Sequence, residues 1–305
     1  MRVVVVGLPL FAKRLKDGLT RFDPTNKYLH FDTYYSKKDK IKARLQIPRA
    51  DCVFSINGTI ESSGVFDLAL KKNVPLVMNW VGTDVLKAID AYKNSRHQQH
   101  YIDKAIHFCE VDWIQEELRE IGIEAEVVNF AAFDKRYELM DAPGNILKVL
   151  SYIPGNRSDF YGMQTFIRLA EKFPEAEFSI AGTEGLDYQP LPANLKALGW
   201  VKDMDALYKQ IHVCVRYTEH DGLSTFILEA LARGKQVLYK NPYNHCMHCP
   251  DELELEKQLN ALHLKLKAGE SLVNKAGATF IKNHFNEECI FGDMIEKITE
   301  IVEKR

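Results

Sequence analysis

Segment 220–240, HDGLSTFILEALARGKQVLYK, gathers residue types suited to ligand chemistry. Asp221 opens a turn, Gly222 and Leu223 follow, and Ser224 and Thr225 lead into an apolar helix carrying Glu229. Beyond Gly234 a short strand is expected over 236–239. A helix start offers unpaired N–H groups and a partial positive charge, which suit a phosphate. Two carboxylates eight residues apart, one in the entry loop and one inside the helix, can bracket a polyhydroxylated group. Phosphate and hydroxyls together point to a nucleotide sugar. The same residues also have ordinary uses: Asp221 or Ser224 caps a helix well, and Glu229 serves equally as a solvated helix residue.

The elements that must position this segment follow from hydrophobic periodicity. In the first half, short apolar runs at 2–7, 28–31, 52–56, 75–80, 105–109 and 125–130 read as strands. Amphipathic segments near 11–21, 38–46, 62–73, 83–103 and 111–121 read as helices. Near-continuous apolar strands separated by helices imply a parallel sheet covered on both faces. The mixed polar stretch 131–145, ending in Pro143-Gly144-Asn145, reads as a linker. The alternation then restarts, with strands at 146–153, 176–182, 195–200 and 212–217 and helices at 163–173 and 203–210. Three helical runs, near 250–268, 270–284 and 289–303, complete the pattern. Two α/β domains in series are expected: 1–143, 144–288, and a last helix over 289–305 that packs back on the first domain. Ligands of such sheets bind beyond the carboxyl ends of the strands, and two such domains place a cleft between them.

Composition bounds the function classes. The 305 residues are 46% hydrophobic and 27% charged, with net charge −2. That balance argues against a general nucleic-acid binder. The first 50 residues carry 12 Lys and Arg against 4 Asp, about +8, which leaves about −10 for the rest. These cations cluster with Phe11, Phe31, Tyr34 and Tyr35, a patch suited to an anionic membrane or a phosphorylated acceptor; a solvated charged face is the plain alternative. No 18-residue apolar stretch exists, so no membrane span is expected. Cys52, Cys109 and Cys214 sit in strand-like runs, where cysteine packs as a small hydrophobe. A reducing cytoplasm is expected, with peripheral contact to the inner membrane face as an option. In 244–249, NHCMHC supplies a single His/Cys pair set without a distant partner pair, so a plain loop is expected and not a zinc site. Gly7-Leu8-Pro9 follows the first strand, where glycine lets a ligand approach, and it lacks the glycine pattern of a dinucleotide site.

Four segments, SYIPGNRSDFYG, SIAGTEG, LKALGWVKDMDALY and DGLSTFILE, stand in the order and spacing of the donor-binding domain of family 4 glycosyltransferases, and NWVGTDVL is similar to that family's N-terminal His-Gly-x-Asp stretch. The chain resembles this family over nearly its whole length, most clearly over 146–240. The resemblance implies the GT-B fold, two Rossmann-like domains with parallel sheets facing a central cleft. It implies Glu229 on the nucleotide ribose, Asp221 on the transferred sugar, and the Gly222, Leu223, Ser224 and Thr225 amides on the diphosphate. Arg157 lies where the family keeps cationic diphosphate ligands, beside Gly155, Asn156 and Tyr161. Gly182, Thr183, Trp200 and Val201 lie where the base is seated. On the acceptor side stand Gly7, Leu8, Pro9, Gly82 and Asp84, the last of which also suits a helix cap.

The sequence departs from the family pattern at three positions. Tyr161 replaces the lysine before Gly162, Asn156 takes the usual place of the arginine, and Val81 stands where many members carry a histidine. Arg216 and His220 flank the motif and are candidates to compensate. The function so implied is transfer of a sugar from a nucleotide diphosphate sugar, with retention of configuration and without a metal or other cofactor. The donor is the first expected partner and the acceptor is unassigned. Two rivals remain at this stage: a non-catalytic partner or scaffold that binds nucleotide sugars, and another GT-B enzyme such as a sugar-nucleotide epimerase.

Overall fold

A computed structural model describes residues 1–130 and 138–304, so the first seven residues of the expected linker lie outside the described residues. The chain forms two compact units. The first comprises Met1–Ala132, Asp221–Leu223 and Phe285–Arg305; the second comprises Phe133–His220 and Ser224–His284.

The first unit is built on β1 (Arg2–Gly7), β2 (Lys27–Phe31), β3 (Cys52–Ile56), β4 (Leu76–Trp80), β5 (Ile106–Cys109) and β6 (Ala125–Val127). They pair in parallel in the order β2-β1-β3-β4-β5-β6. Its helices are α1 (Pro9–Phe22), α2 (Lys37–Gln46), α3 (Phe66–Lys71), α4 (Thr83–Lys93), α5 (Gln99–Lys104) and α6 (Asp112–Arg119). β3 and β4 are buried along their whole length, which is why they read as near-continuous apolar runs, broken only by buried Ser55 and Asn79, rather than as alternating ones. Pro9 starts α1, where its missing N–H costs nothing.

The second unit holds β7 (Lys148–Tyr152), β8 (Glu177–Ala181), β9 (Leu195–Ala197), β10 (Val213–Arg216), β11 (Gln236–Tyr239) and β12 (Met247–His248), parallel in the order β12-β11-β10-β7-β8-β9. Its helices are α7 (Met163–Lys172), α8 (Met204–Tyr208), α9 (Thr225–Ala232), α10 (Glu252–Lys267) and α11 (Lys275–His284). The last helix, α12 (Glu287–Glu303), packs in the first unit, where Phe291, Met294 and Ile298 join the core of Val3, Val5, Leu15 and Phe54. The second core centres on Val149, Phe166, Phe178, Val213 and Leu238.

Three sequence expectations need correction. The run 83–103 is two helices, because Ser95 takes a left-handed φ of 55° and the Arg96 N–H closes back on the Ala91 carbonyl. The strand expected over 195–200 ends at Ala197, because Gly199 turns the chain with φ 64°. Segment 244–249 is not a plain loop: Met247 and His248 pair with Leu238 and Tyr239, and the Cys249 N–H donates to the Tyr239 carbonyl at 2.7 Å. Among the described residues no group of three His, Cys, Asp or Glu side chains gathers as a metal site. No helix among them is long and apolar enough to cross a membrane.

Candidate functional site

Both sheets reverse strand order once, between β1 and β3 in the first unit and between β7 and β10 in the second. The crevice beyond the carboxyl ends at such a reversal is where open α/β sheets bind ligands.

In the second unit the loops after β7 and β10 are tied together across the reversal. The Thr218 hydroxyl donates to the Phe160 carbonyl at 2.9 Å, and the Glu219 N–H donates to the same oxygen at 2.9 Å. Gly162 caps α7 with φ 82°, and a Cβ there would overlap the Tyr217 carbonyl oxygen. Glycine is therefore required for these two loops to meet. Gly155, Asn156 and Arg157 form an exposed single turn pinned by buried Ser158, whose hydroxyl bonds the Pro154 and Gly155 carbonyls at 3.2 Å. The Arg157 guanidinium lies over the Phe160 ring, 3.9 Å from its centroid. Arg216 ends β10 and is only 6% exposed. It donates to the Tyr152 carbonyl at 3.4 Å and lies 4.7 Å from the centroid of Tyr161. Burial raises the Tyr152 phenol pKa, the neighbouring Tyr161 adds to this, and the Arg216 charge opposes it.

The loop after β8 forms a second wall. The Gly182 N–H donates to the Gly199 carbonyl at 2.7 Å, and the Gly199 N–H to the Thr183 carbonyl at 2.9 Å. A Cβ on Gly155 would meet the Thr183 hydroxyl at 3.2 Å, so these loops touch. Trp200, which follows this ladder, is 82% exposed, and Val201 is half-buried. Ser224 stands at the N-cap of α9 without a side-chain cap bond, and Thr225 begins the helix. Glu229 is half-buried on α9; the fully buried Tyr208 hydroxyl donates to its carboxylate at 3.5 Å. His220 is half-buried and its carbonyl accepts from Thr218 at 3.2 Å. In Asp203-Met204-Asp205, Asp203 caps α8 and Asp205 pairs with buried Arg233 at 2.6 Å.

In the first unit, Gly7 has φ 107°, and a Cβ there would overlap the Ile56 carbonyl oxygen, which accepts the Leu8 N–H at 2.9 Å. Asp84, in the first turn of α4, is buried. Its carboxylate accepts the N–H groups of Gly58 and Gly82 at 2.8 Å and of Val81 at 3.2 Å. It thus binds the loop after β3 to the loop after β4; burial raises its pKa against these bonds. The turn Asp221–Leu223 belongs to this unit: the Trp113 indole donates to the Asp221 carbonyl at 2.8 Å, and a Cβ on Gly222 would overlap the Val81 carbonyl. The sequence-derived acceptor residues Gly7, Leu8, Pro9, Gly82 and Asp84 therefore share one unit with Asp221, Gly222 and Leu223.

Two features escaped sequence reasoning. Glu110, just beyond β5, has its pKa raised well above the ordinary carboxyl value by burial first, then by Asp84 and Asp221. Beside the β1/β3 reversal lies a cavity of about 440 Å³ whose lining includes Gly7, Asn57 and Asp84 together with Lys40, Arg44 and Lys87. The basic excess of the first 50 residues was the available signal for Lys40 and Arg44; nothing near Lys87 or Glu110 in sequence marks them.

No family model matches the chain, and no curated protein matches it in sequence. Solved structures do. Anabaena HepE, determined in complex with UDP and glucose, aligns with a TM-score of 0.71 at 12% identity, over 98% of this chain and 100% of that one. A glycosyltransferase from Rickettsia africae ESF-5 aligns with a TM-score of 0.69 at 12% identity, over 100% and 99%. The UDP-GlcNAc 2-epimerase of Neisseria meningitidis, bound to UDP-GlcNAc, aligns with a TM-score of 0.57 at 11% identity, over 98% and 100%. The two parallel six-stranded sheets with their helices are those of the GT-B fold.

Proposed function

We propose that this protein transfers a sugar from a nucleotide diphosphate sugar to an acceptor, as a family 4, retaining glycosyltransferase that needs no metal. The observation that carries the proposal is the β7/β10 reversal, where two mutually bonded loops present a buried guanidinium, Arg216, beside Tyr161. Tyr161 stands where the family resemblance places a lysine, and Arg216 restores positive charge within reach of that ring. Fixed cationic charge is what a departing diphosphate requires in the transition state. Arg157, exposed in the adjacent loop, adds a second cation that bonds phosphate oxygens in pairs.

In the step itself the bond from the sugar C1 to the diphosphate oxygen breaks and a bond from C1 to the acceptor oxygen forms. The acceptor hydroxyl gives its proton to the departing phosphate oxygen, so no side-chain base is needed and Val81 is tolerated. Glu229 holds ribose hydroxyls, Asp221 a hydroxyl of the transferred sugar, and the Gly182–Thr183 and Gly199–Val201 strips support the base. The first unit holds the acceptor. The test is incubation of the purified protein with UDP-, GDP- and ADP-sugars, with acceptor candidates, while nucleoside diphosphate release is measured. Release that depends on an acceptor is expected. Conversion of donor to a different sugar nucleotide without acceptor favours epimerisation, the reading for which the likeness to UDP-GlcNAc 2-epimerase speaks. Binding without turnover favours a non-catalytic partner.

A further inference from the structure

Lys40 and Arg44 on α2 and Lys87 on α4 line one cavity with Asn57 and Gly7. Among the described residues no carboxylate lies within ion-pair distance of any of these three cations. The cavity also contains two carboxylates, and both are already engaged. Glu61 pairs with Arg96, and Asp84 accepts three backbone N–H groups. What faces the cavity is therefore net positive charge. The flexible end of Arg44 lies against Gly64 in the loop after β3. Asn57, in the wall at the end of β3, holds φ 111°, a strained conformation for any residue but glycine. Strain of this kind is kept where surrounding structure enforces it, commonly at ligand sites. A volume of about 440 Å³ lies within the range of small-molecule sites and exceeds the needs of a lone ion.

We propose that this cavity receives a phosphate group of the acceptor, held by Lys40, Arg44 and Lys87, so that the acceptor is a phosphomonoester of a sugar or of a lipid. The proposal rests on the glycosyltransferase reading for the word acceptor, while the phosphate site stands on the cavity alone. Three cations without carboxylate partners give a dianionic phosphate what a neutral sugar cannot use. Arg44 supplies the paired donors that recognise phosphate oxygens.

Binding to the full chain is measured by calorimetry with glucose 6-phosphate, glucose and inorganic phosphate, and by co-sedimentation with phosphatidylcholine vesicles with and without phosphatidic acid. The wild type is compared with Arg44→Gln and Lys87→Gln, and binding of UDP, GDP and ADP is measured on the same samples. Glucose 6-phosphate or phosphatidic acid vesicles bind the wild type, and either variant weakens that binding about tenfold or more. Glucose and pure phosphatidylcholine do not bind. Binding of the soluble phosphate identifies a free sugar phosphate, and binding of vesicles alone identifies a lipid-borne one. The proposal is overturned if no phosphate compound binds, if glucose binds as well as glucose 6-phosphate, or if both variants bind like the wild type while keeping the wild-type melting temperature. Failure of UDP, GDP and ADP alike to bind, each tested on the same samples, would instead sink the transferase reading and leave the phosphate result standing.

Discussion

The two units reverse their sheets in the same way and furnish the reversals differently. At β7/β10 the loops are locked to one another and the cation beside them, Arg216, is buried and stacked on Tyr161. At β1/β3 the Leu8 N–H bonds the Ile56 carbonyl, the buried carboxylate of Asp84 ties the loop after β3 to the loop after β4, and the cations Lys40, Arg44 and Lys87 stay exposed around a cavity. A buried guanidinium is held in one orientation and offers fixed charge, as stabilisation of a leaving group demands. Exposed lysines and arginines adapt to the group that arrives and are screened by salt. One topology can thus supply a rigid electrostatic wall in one unit and an adaptable recognition surface in the other.

The largest expected effect breaks that comparison directly. Arg216→Ala should lower sugar transfer about a hundredfold or more and leave phosphate-compound binding to the first unit unchanged; Arg44→Gln should weaken phosphate-compound binding and leave nucleotide binding unchanged. If Arg216→Ala also loses phosphate-compound binding, or Arg44→Gln also loses nucleotide binding, the division of labour is wrong. Next in size are the glycines that let each reversal close. Gly7→Ala and Gly162→Ala each place a Cβ on a carbonyl oxygen at positive φ, and each should cost about 1–3 kcal/mol in denaturant unfolding. A loss at only one position would show that only one reversal is tightly closed.

A smaller effect concerns Glu110. Its folded pKa is raised above the ordinary value of 4.5 by burial, Asp84 and Asp221. The folded chain therefore keeps this proton to higher pH than the unfolded chain does. The stability so gained is present in acid and is lost as pH rises from about 4.5 through the folded pKa. Glu110→Gln should therefore match the wild type at about pH 4 and exceed it in melting temperature at about pH 8. Equal melting temperatures at both pH values would remove Glu110 from the site's electrostatics. The smallest effect is at Trp200. Trp200→Ala should weaken nucleotide binding a few-fold, roughly the worth of one aromatic contact, without affecting inorganic phosphate; unchanged nucleotide affinity would take Trp200 out of the donor site.

The fold was legible because the strands that carry it are buried on both faces, so Val3–Val6, Cys52–Ile56 and Leu76–Trp80 appear as near-continuous apolar runs without regular alternation, Ser55 and Asn79 being the polar exceptions. What the pattern hid depends on single backbone turns. The break after Lys93 rests on the φ of Ser95, and β12 exists because the two residues Met247 and His248 meet β11. Segment 221–229 carried its candidate residue types in one window, with Asp221–Leu223 in the first unit and the residues from Ser224 onward in the second. The anion cavity did not, since Lys40, Arg44 and Lys87 lie on two helices that only the β1/β3 reversal brings to one hollow. Glu110 owes its raised pKa to burial and to Asp84 and Asp221, the latter more than a hundred residues away.

The most direct test of the central claim is thermal unfolding of the wild type and of Arg216→Ala against rising concentrations of UDP, GDP and ADP. A nucleotide bound only by the folded chain raises its stability as the concentration passes the dissociation constant. The account predicts a saturable rise for at least one nucleotide with the wild type and a rise shifted to much higher concentration with Arg216→Ala. No rise with any nucleotide, or identical curves for the two proteins, would contradict it.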